Sequence, residues 1–373
     1  MKVLLTIARI VVGVLFIFSG LVKANDPSGL SYKMQEFFDV WGWSFLNDYS
    51  LAFALLMNTF EIVAGLAVLL GWRMWLFSWL LLLLIIFFTF LTGYAVMHPE
   101  QIKTCGCFGD CLPLTPLQSF LKDLILTVLI LFIFIKRKSI VPVLSATLNV
   151  VLLTLAVLFC IVLQWYVLKH LPIVDCLPYK SGNNIVEQMK APKGAIADSF
   201  AITFKYRKNG KDVEFDMNSF PEDFNDSTYQ FVDRYQKLVR QGTANAAISD
   251  FNLASLSGTD TTTAILNQPD KYVLLFIKDA STAEKDWPKN AAGVAKVCKQ
   301  KGIAFYVVTA TVEAAQQQLN ASDINFLISD ATVIKTAARV NPTYFVMKRA
   351  TVLAKYANAD FEKVIAKINV IVK

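Results

Sequence analysis

The stretch "RMWLFSWLLLLLIIFFTFLTGYAVM", residues 73–97, has no charged side chain after its first residue. It is longer than the roughly 20 apolar residues that a helix needs to cross a bilayer. Four more apolar runs of similar length lie near residues 3–22, 51–71, 119–136 and 142–169. The chain is 55% hydrophobic, and the apolar residues are concentrated in its first half. The sequence therefore predicts an α-helical membrane bundle with five transmembrane helices.

Positive charges in the short loops predict how this bundle is oriented. Lys2, Arg73 and the run "KRK" at 136–138 mark helix ends that are expected in the cytoplasm. With five spans, the amino terminus is then cytoplasmic, and the loops 23–50 and 98–118 lie outside, as does everything after the fifth span. We therefore expect a multi-pass protein of the bacterial inner (plasma) membrane with a periplasmic carboxyl-terminal domain.

The net charge of +7 does not indicate a nucleic-acid partner. The basic residues are scattered along the chain and form no arginine-rich patch. Lysines beside membrane helices explain the charge without such a partner, so the lipid bilayer is the first partner that we expect.

From about residue 246 the sequence alternates between strand and helix patterns. "YVLLFI" (272–277) and "IAFYVVTA" (303–310) are typical of buried strands, and each precedes a helical segment. A hairpin around Arg349-Ala350 and a closing helix near Asp360 complete the pattern. This order predicts a sheet layered between helices, an α/β soluble domain.

One segment of this domain resembles thioredoxins, although their cysteine pair is missing. "VNPTYFVM" (340–347) is similar to the segment in which thioredoxins place a cis proline, so Pro342 is the candidate. Thioredoxins carry Cys-x-x-Cys after the first buried strand, where this chain has "KDASTAEKDW" (278–287). Cys298 lies well inside the following helix, and we interpret it as a buried structural cysteine. The resemblance implies a thioredoxin-like domain without the redox Cys pair.

The segment between the membrane bundle and this domain is polar and mixed. "SFAITFKYRKNGKDVEFDM" (199–217) alternates around Asn209-Gly210, which predicts a β-hairpin. "TYQFVDRYQKLVRQG" (228–242) has the pattern of an amphipathic helix ending at Gly242. We therefore expect an exterior α+β linker over residues 170–245.

The candidate chemistry lies in the loop "TCGCFGDCLPL" (104–114), which places Cys105, Cys107 and Cys111 on the predicted exterior side. Thiols there can persist as disulfides. A zinc site would need a fourth ligand such as His98. A structural disulfide from Cys111 to Cys105 or Cys107 would leave one free thiol. A redox relay, in which neighbouring sulfurs exchange partners, explains three adjacent cysteines best, and we expect no metal.

Other residues near the predicted exterior face support this interpretation. Cys160, in the outer half of the fifth helix, and Cys176, just beyond its end, form a second candidate thiol pair. Lys122, next to Asp123, and Lys23 lie at exterior helix ends near the loop, where a lysine can stabilise a thiolate. Snorkelling to the membrane interface is the alternative role for Lys23.

A charged residue is also expected inside the membrane. Glu61 falls near the middle of a span, where an ionised carboxylate needs a partner. Arg9 enters from the cytoplasmic end to a similar depth, so we predict an Arg9–Glu61 pair. This pair could fix helix packing, form a proton path or give a polar wall to a quinone headgroup.

The first four helices resemble a known family. "ARIVVGVLFIFSGLVKANDPSG" (8–29) and "FEIVAGLAVLLG" (60–71) are similar to the opening helices of the DoxX family. The matching residues are Arg9, Gly13, Phe16, Ser19, Gly20, Lys23, Asp26, Pro27, Glu61, Gly65 and Gly71. "TCGCFGDC" followed by "LTPLQSFLKDLIL" (114–126) is similar to the related MauE proteins, which are linked to disulfide formation in methylamine dehydrogenase. The resemblance covers residues 4–136.

The resemblance implies an architecture and an electron acceptor. The expected parts are a DoxX/MauE-like four-helix membrane domain (1–141), a fifth transmembrane helix (142–169), the linker (170–245) and the thioredoxin-like domain (246–373). Other four-helix membrane proteins, the vitamin K epoxide reductases and DsbB-like enzymes, pass electrons from thiols to quinone. By this analogy a membrane quinone is the expected acceptor, although the chain lacks their Cys-x-x-Cys at the membrane end.

Two classes of function follow. The first is a membrane thiol:quinone oxidoreductase whose exterior domain docks exported client proteins, and the crowded cysteine loop favours it. The second is a non-enzymatic assembly or scaffold protein, with structural disulfides and a partner-binding exterior domain. The missing Cys-x-x-Cys favours this alternative.

Overall fold

The computed structural model describes most of the chain. The described residues are 2–99, 102, 106, 108–192, 194, 195, 199–208, 210–216, 219–221, 223–225, 228–240, 242, 246–319 and 324–370. The chain divides into two compact units. The first comprises Met1–Gly182 together with Asn252–Lys373, and the second comprises Asn183–Phe251.

The amino-terminal part of the first unit is helical. Its long helices are α1 (Lys2–Asn25), α3 (Ser50–Leu70), α4 (Met74–Met97), α5 (Pro116–Lys136) and α6 (Ala146–His170), and the shorter α2 (Pro27–Val40) follows α1. The five long helices coincide with the five predicted spans, and each is long and apolar enough to cross a membrane. The prediction of a five-helix, multi-pass membrane part is confirmed.

Helices α1 and α3 run antiparallel and pack closely through glycines. A Cβ added at Gly65 would lie 2.8 Å from the carbonyl oxygen of Gly13, so no side chain fits there. Further along the pair, Gly20 faces Ile62 at a similar distance. Small residues allow the backbones of membrane helices to approach in this way. These contacts fix which residues of the two helices lie at the same depth.

The connections at one end of the bundle are structured. We call this the loop end. Asp26 caps α2 by accepting a hydrogen bond from the Gly29 backbone nitrogen (3.0 Å). A 3-10 turn, Ser44–Tyr49, leads into α3. Before α5, Thr115 and Gln118 exchange side chain–backbone hydrogen bonds in a capping box, with Pro116 in the first turn. Two helices that begin at the loop end, α2 and α5, are thus capped by a side chain.

The second unit contains the short helix α7 (Ile185–Gln188) and an antiparallel sheet. Its strands are β1 (Ser199–Lys208), β2 (Lys211–Asp216) and β3 (Tyr229–Arg240), in the order β2-β1-β3. The predicted hairpin is confirmed by the pairing of β1 with β2. The ring of Tyr206 contacts Phe215, Phe224, Tyr229 and Phe231, among other aromatic side chains of this unit.

The predicted amphipathic helix over 228–242 is wrong, because this segment forms β3. It pairs with β1 along its length, from Lys208 opposite Tyr229 to Ser199 opposite Arg240. The segment is rich in aromatic and β-branched residues, which favour strands. Pairing with the free edge of β1 satisfies the backbone groups, a non-local gain that the local pattern does not reveal.

The carboxyl-terminal part of the first unit is an α/β domain. Its elements are α8 (Thr262–Leu266), β4 (Lys271–Ile277), α9 (Trp287–Gln300), β5 (Ala304–Thr309), α10 (Val312–Leu319), β6 (Asn325–Ile328), α11 (Ala331–Ala337), β7 (Thr343–Lys348), β8 (Thr351–Ala357) and α12 (Phe361–Val370). The sheet order is β6-β5-β4-β7-β8. Strands β4, β5 and β6 are parallel, and β7 is antiparallel to its neighbours. The predicted α/β sheet domain is confirmed.

Two further expectations for this domain agree with the structure. The Asn341–Pro342 peptide bond is cis and directly precedes β7. Cys298 is fully buried on α9 beside Val294 and the sheet. Burial raises the pKa of its thiol to about 12, so it carries no reactive thiolate near neutral pH.

Candidate functional site

A cavity of the membrane part lies at the loop end. Its volume is about 450 Å³, and α1, α2, α3, α4 and α5 all contribute to its lining. Most of the lining is apolar, and its aromatic side chains come from α2, α3, α4 and the residue after α2. They include Phe37, Phe38, Trp41, Phe60, Phe87 and Phe88. Mostly apolar cavities with a few polar groups are typical small-molecule sites. A flat, apolar ring would find aromatic contacts on several sides here.

One polar group of the cavity is an ion pair between α1 and α3. Lys23 Nζ binds Glu61 Oε1, and their side chains are only 3% and 1% exposed. The Ser19 hydroxyl donates to the other oxygen of Glu61 (3.0 Å). Lys23 Nζ also lies 5.1 Å from the centroid of the Phe88 ring. The buried carboxylate is therefore satisfied, and an ammonium group lines the cavity.

A second ion pair lies on α5. Lys122 Nζ is 2.9 Å from Asp123 Oδ1, and the Thr92 hydroxyl of α4 donates to Asp123 Oδ2 (3.1 Å). Lys122 and Thr92 line the cavity. Lys122 Nζ also lies 4.8 Å from the centroid of the Phe108 ring, in the cysteine loop. The structure thus brings Lys122 next to both the loop and the cavity, with the predicted residue Asp123 as its ion-pair partner.

The predicted Arg9–Glu61 pair is wrong. Arg9 Nε and Nη2 donate to the carbonyl oxygens of Val68 (3.1 Å) and Leu69 (2.9 Å), at the end of α3. Gly20, not Arg9, lies beside Glu61. Arg9 is about three turns earlier in α1, or about 16 Å along the axis at about 1.5 Å per residue. Glu61 therefore pairs with Lys23. Because the Lys23 side chain is buried in this pair, it does not extend to the membrane interface as a snorkelling lysine would.

The structure contains one disulfide among the described residues, and it joins Cys111 to Cys176 with a Cα–Cα distance of 4.9 Å. It links the loop before α5 to the segment after α6. This bond contradicts the alternative in which Cys111 forms a structural disulfide with Cys105 or Cys107. Both bonded cysteines are partly exposed.

The predicted Cys160–Cys176 pair is also wrong. Cys160 is a free cysteine, fully buried beside Ala24 and Ile62. It lies ten residues before the end of α6 at His170, about 15 Å along the helix axis. Its thiol therefore lies too deep in the bundle to reach the segment that carries Cys176.

The other two loop cysteines, Cys105 and Cys107, lie outside the described residues. Gly106 between them is described, and it lines the cavity. A Cβ added at Gly106 would lie 3.0 Å from Lys33 Cγ of α2, and the residue has a positive φ of 66°. Only glycine adopts this conformation readily. The backbone between the two cysteines thus contacts the cavity.

Metal ligation finds no support in the described part of the chain. It contains no group of three or more His, Cys, Asp or Glu side chains that could hold a metal ion. His98, the candidate fourth zinc ligand, packs its ring against Tyr94 with 4.4 Å between centroids.

Comparison with known proteins identifies the membrane part. Residues 1–136 match the family model of methylamine utilisation protein MauE. This is a MauE-like membrane domain. Residues 200–241, in the second unit, match a domain of unknown function, DUF8463.

The chain also has a curated relative. Over 128 residues it is 25% identical to Protein TlpB of Flavobacterium psychrophilum. The matched region covers 34% of this chain and 35% of the relative. The chain thus matches about a third of the length of this relative. No solved structure matches the chain.

All residues that line the cavity lie within the MauE-like domain. Sequence reasoning identified Lys23, Lys122 and Asp123 but missed the contribution of α2, which supplies Lys33 and several aromatic side chains. The cluster "EFFDVWGW" (36–43) is the signal that could have indicated it, since adjacent aromatic residues in a loop between spans have no bilayer-spanning role.

Proposed function

We propose that this protein is a membrane thiol:quinone oxidoreductase that introduces disulfides into exported client proteins. The observation that carries the proposal is the position of Gly106. This residue, flanked by Cys105 and Cys107 in the sequence, lines an aromatic cavity that is also lined by the lysines of two lysine–carboxylate pairs. Thiols and a ring-shaped electron acceptor could meet there.

The proposed exchange begins at the partly exposed Cys111–Cys176 disulfide. A client thiolate attacks one of its sulfurs, and the second client thiol then resolves the mixed disulfide. The client gains a disulfide, and Cys111 and Cys176 become thiols. These thiols reduce a Cys105–Cys107 disulfide by the same exchange, which restores the Cys111–Cys176 bond. Two electrons and two protons then reside on Cys105 and Cys107.

The residues that line the cavity fit a quinone. A bound quinone would accept the two electrons and two protons as Cys105 and Cys107 form their disulfide again. Aromatic side chains can hold its ring, and the ammonium groups of Lys23 and Lys122 can donate hydrogen bonds to its oxygens. In an apolar site such donors stabilise developing negative charge strongly. The paired carboxylates of Glu61 and Asp123 keep both lysines in place.

Access from the bilayer supports a lipid-soluble acceptor. Leu56 of α3 and Phe87 of α4 line the cavity, yet Leu56 is 69% exposed and Phe87 is 43% exposed. From this exposure we infer that the cavity opens between α3 and α4, on a surface that the lipid would cover. A quinone with an isoprenoid tail could enter by this route.

One observation favours the non-enzymatic scaffold as a second candidate. The α/β domain has no cysteine in the segment after β4, and its Cys298 is buried. It therefore cannot carry electrons itself. In the proposed enzyme this domain contacts the exported, periplasmic clients, whereas in a scaffold it would be the main functional part.

Quinone reduction by the purified full-length protein tests the proposal. The protein in lipid nanodiscs would be mixed with a reduced dithiol peptide and a soluble ubiquinone analogue, and quinol formation followed by absorbance. We expect turnover that Cys105→Ser and Cys107→Ser each abolish. Cys298→Ser is the matched control and should leave the rate unchanged. Turnover that persists in both loop variants, or none in the wild type, would favour the scaffold.

A further inference from the structure

Each cysteine of the Cys111–Cys176 disulfide directly follows an aspartate, Asp110 or Asp175. Each of these aspartates binds a buried cation of the α/β domain. Arg339 Nη2 binds Asp110 Oδ2, and Lys355 Nζ binds Asp175 Oδ2 at 2.8 Å. The two halves of the disulfide are thus held by one domain.

The two cations are themselves held firmly. Arg339 follows α11 and is buried. It donates to the carboxylate of Asp26 (2.8 Å), the residue that caps α2, and to the Lys335 carbonyl (3.0 Å). Lys355 lies in β8, opposite Phe345 of β7, and its Nζ is 5.3 Å from the centroid of that ring. Long side chains fixed in this way have already lost their rotamer freedom, so they hold a partner at little further entropic cost.

We propose that Arg339 and Lys355 are positioning residues that keep Cys111 and Cys176 together when the bond between them is reduced. Both ion pairs end on the residue before a cysteine, and neither involves a sulfur, so reduction does not break them. The two thiols then stay near each other, and the disulfide forms again with a smaller loss of chain entropy. The two ion pairs would set how readily this disulfide accepts electrons from a client. That consequence for catalysis rests on the proposed function.

The predicted effect is on the thiol–disulfide equilibrium. Without one ion pair, the reduced cysteine on that side gains freedom, and the effective concentration of one thiol near the other falls. The disulfide should then be easier to reduce. We expect Arg339→Gln and Lys355→Gln each to shift the equilibrium about 10-fold towards the dithiol, which corresponds to about 30 mV for this two-electron couple.

The experiment uses the full-length protein in detergent with Cys105→Ser and Cys107→Ser, so that one disulfide titrates. Mixtures of reduced and oxidised dithiothreitol set the redox potential of the solution. Alkylation followed by mass spectrometry gives the fraction of Cys111 and Cys176 that is oxidised. No quinone or client is present, so failure of the proposed function would not affect the result.

His170→Gln is the matched control. His170 Nδ1 lies 3.0 Å from Asp360 Oδ2, which joins the end of α6 to the α/β domain without touching a residue next to a cysteine. This variant should leave the equilibrium unchanged. A shift of the same size in His170→Gln would mean that general loosening of the domain is responsible, and would overturn the inference.

Milder variants cover the possibility that loss of a buried cation prevents folding. Asp110→Asn, at a half-exposed position, should shift the equilibrium in the same direction as Arg339→Gln, and the double variant should add little because both act on one pair. Lys355→Arg should keep the wild-type equilibrium. An unchanged equilibrium in Asp110→Asn, or additive effects in the double variant, would contradict a role through Asp110.

Discussion

Lys23 of α1 and Glu61 of α3 form an ion pair in which both side chains are almost wholly buried within the membrane part. Removing both charged groups from water is expensive, and the pair is retained only because each group satisfies the other. Ser19 supplies a further hydrogen bond to Glu61. Because Lys23 of this costly pair lines the aromatic cavity, we propose that the pair has a chemical role and does not only fix helix packing.

Separating stability from turnover tests this explanation. Lys23→Met leaves the Glu61 carboxylate buried without its partner and should lower the free energy of unfolding by about 3–5 kcal/mol. The double variant Lys23→Met/Glu61→Leu removes both charges and should recover most of that loss. It should not recover quinone reduction. Thermal unfolding in nanodiscs and the quinol assay measure the two effects. Full activity in the double variant would mean that the pair only fixes helix packing.

The orientation of the chain is a prediction from its loop charges. Five spans place the two ends of the chain on opposite sides, and Arg73 with the residues 136–138 is expected inside. A reporter that is active only outside the cytoplasm should work when fused after residue 373 and fail when fused after residue 138. The reverse pattern would place the cysteine loop in the reducing cytoplasm, where the proposed relay could not persist.

Lys278, directly after β4, should make stability depend on pH. Its Nζ donates to the Tyr32 hydroxyl (2.9 Å) and to the Arg339 carbonyl (2.8 Å). Burial, and then the charge of Arg339, lower the pKa of Lys278 to about 7, with Asp26 opposing and Lys335 adding to the shift. An unfolded chain binds this proton up to the ordinary lysine pKa of 10.5. The free energy of unfolding should therefore rise with pH between about 7 and 10.5, by up to about 1.4 kcal/mol per pH unit.

The comparison with Lys278→Met isolates this contribution. Between pH 7.5 and 9 the wild type should gain thermal stability relative to the variant. In this range Lys278 is neutral in the folded state but must bind a proton on unfolding, and a rise in pH makes that protonation less favourable. Below pH 7 the difference should become constant, since both states of the wild type are then protonated. A difference that stays constant from pH 7.5 to 9 would show that the Lys278 pKa is not lowered.

Local patterns predicted the helices and strands well where the elements depend on near neighbours. The strands predicted at 272–277 and 303–310 lie within one residue of the limits of β4 and β5. The segment 228–242 failed because β3 is stabilised by β1, which is distant in the sequence. Its local pattern is compatible with either element.

The site could be predicted only in part, for geometric reasons. The sequence identified Glu61 as a residue that needs a partner, but not which residue of α1 lies at the same depth in the membrane. The close contacts at Gly13, Gly20 and Gly65 determine how α1 and α3 are aligned. The partner of Cys111 is 65 residues away, and cysteine spacing does not reveal connectivity. The positions of Arg339 and Lys355 beside the disulfide depend on how the α/β domain packs.

The opening between α3 and α4 leads to the last prediction. Leu56 lines the cavity and is 69% exposed, so if quinone enters between α3 and α4 as inferred, a larger side chain there should obstruct the route from the bilayer. Leu56→Trp should raise the KM several-fold for a quinone with a long isoprenoid tail, which must remain in the opening while its ring is bound. A short-tailed, soluble quinone needs less of this route and should be affected less. Leu83→Trp is the matched control, because Leu83 of α4 is 58% exposed and is not among the lining residues of the cavity. Equal effects on the two quinones, or an equal effect of Leu83→Trp, would argue against entry between α3 and α4.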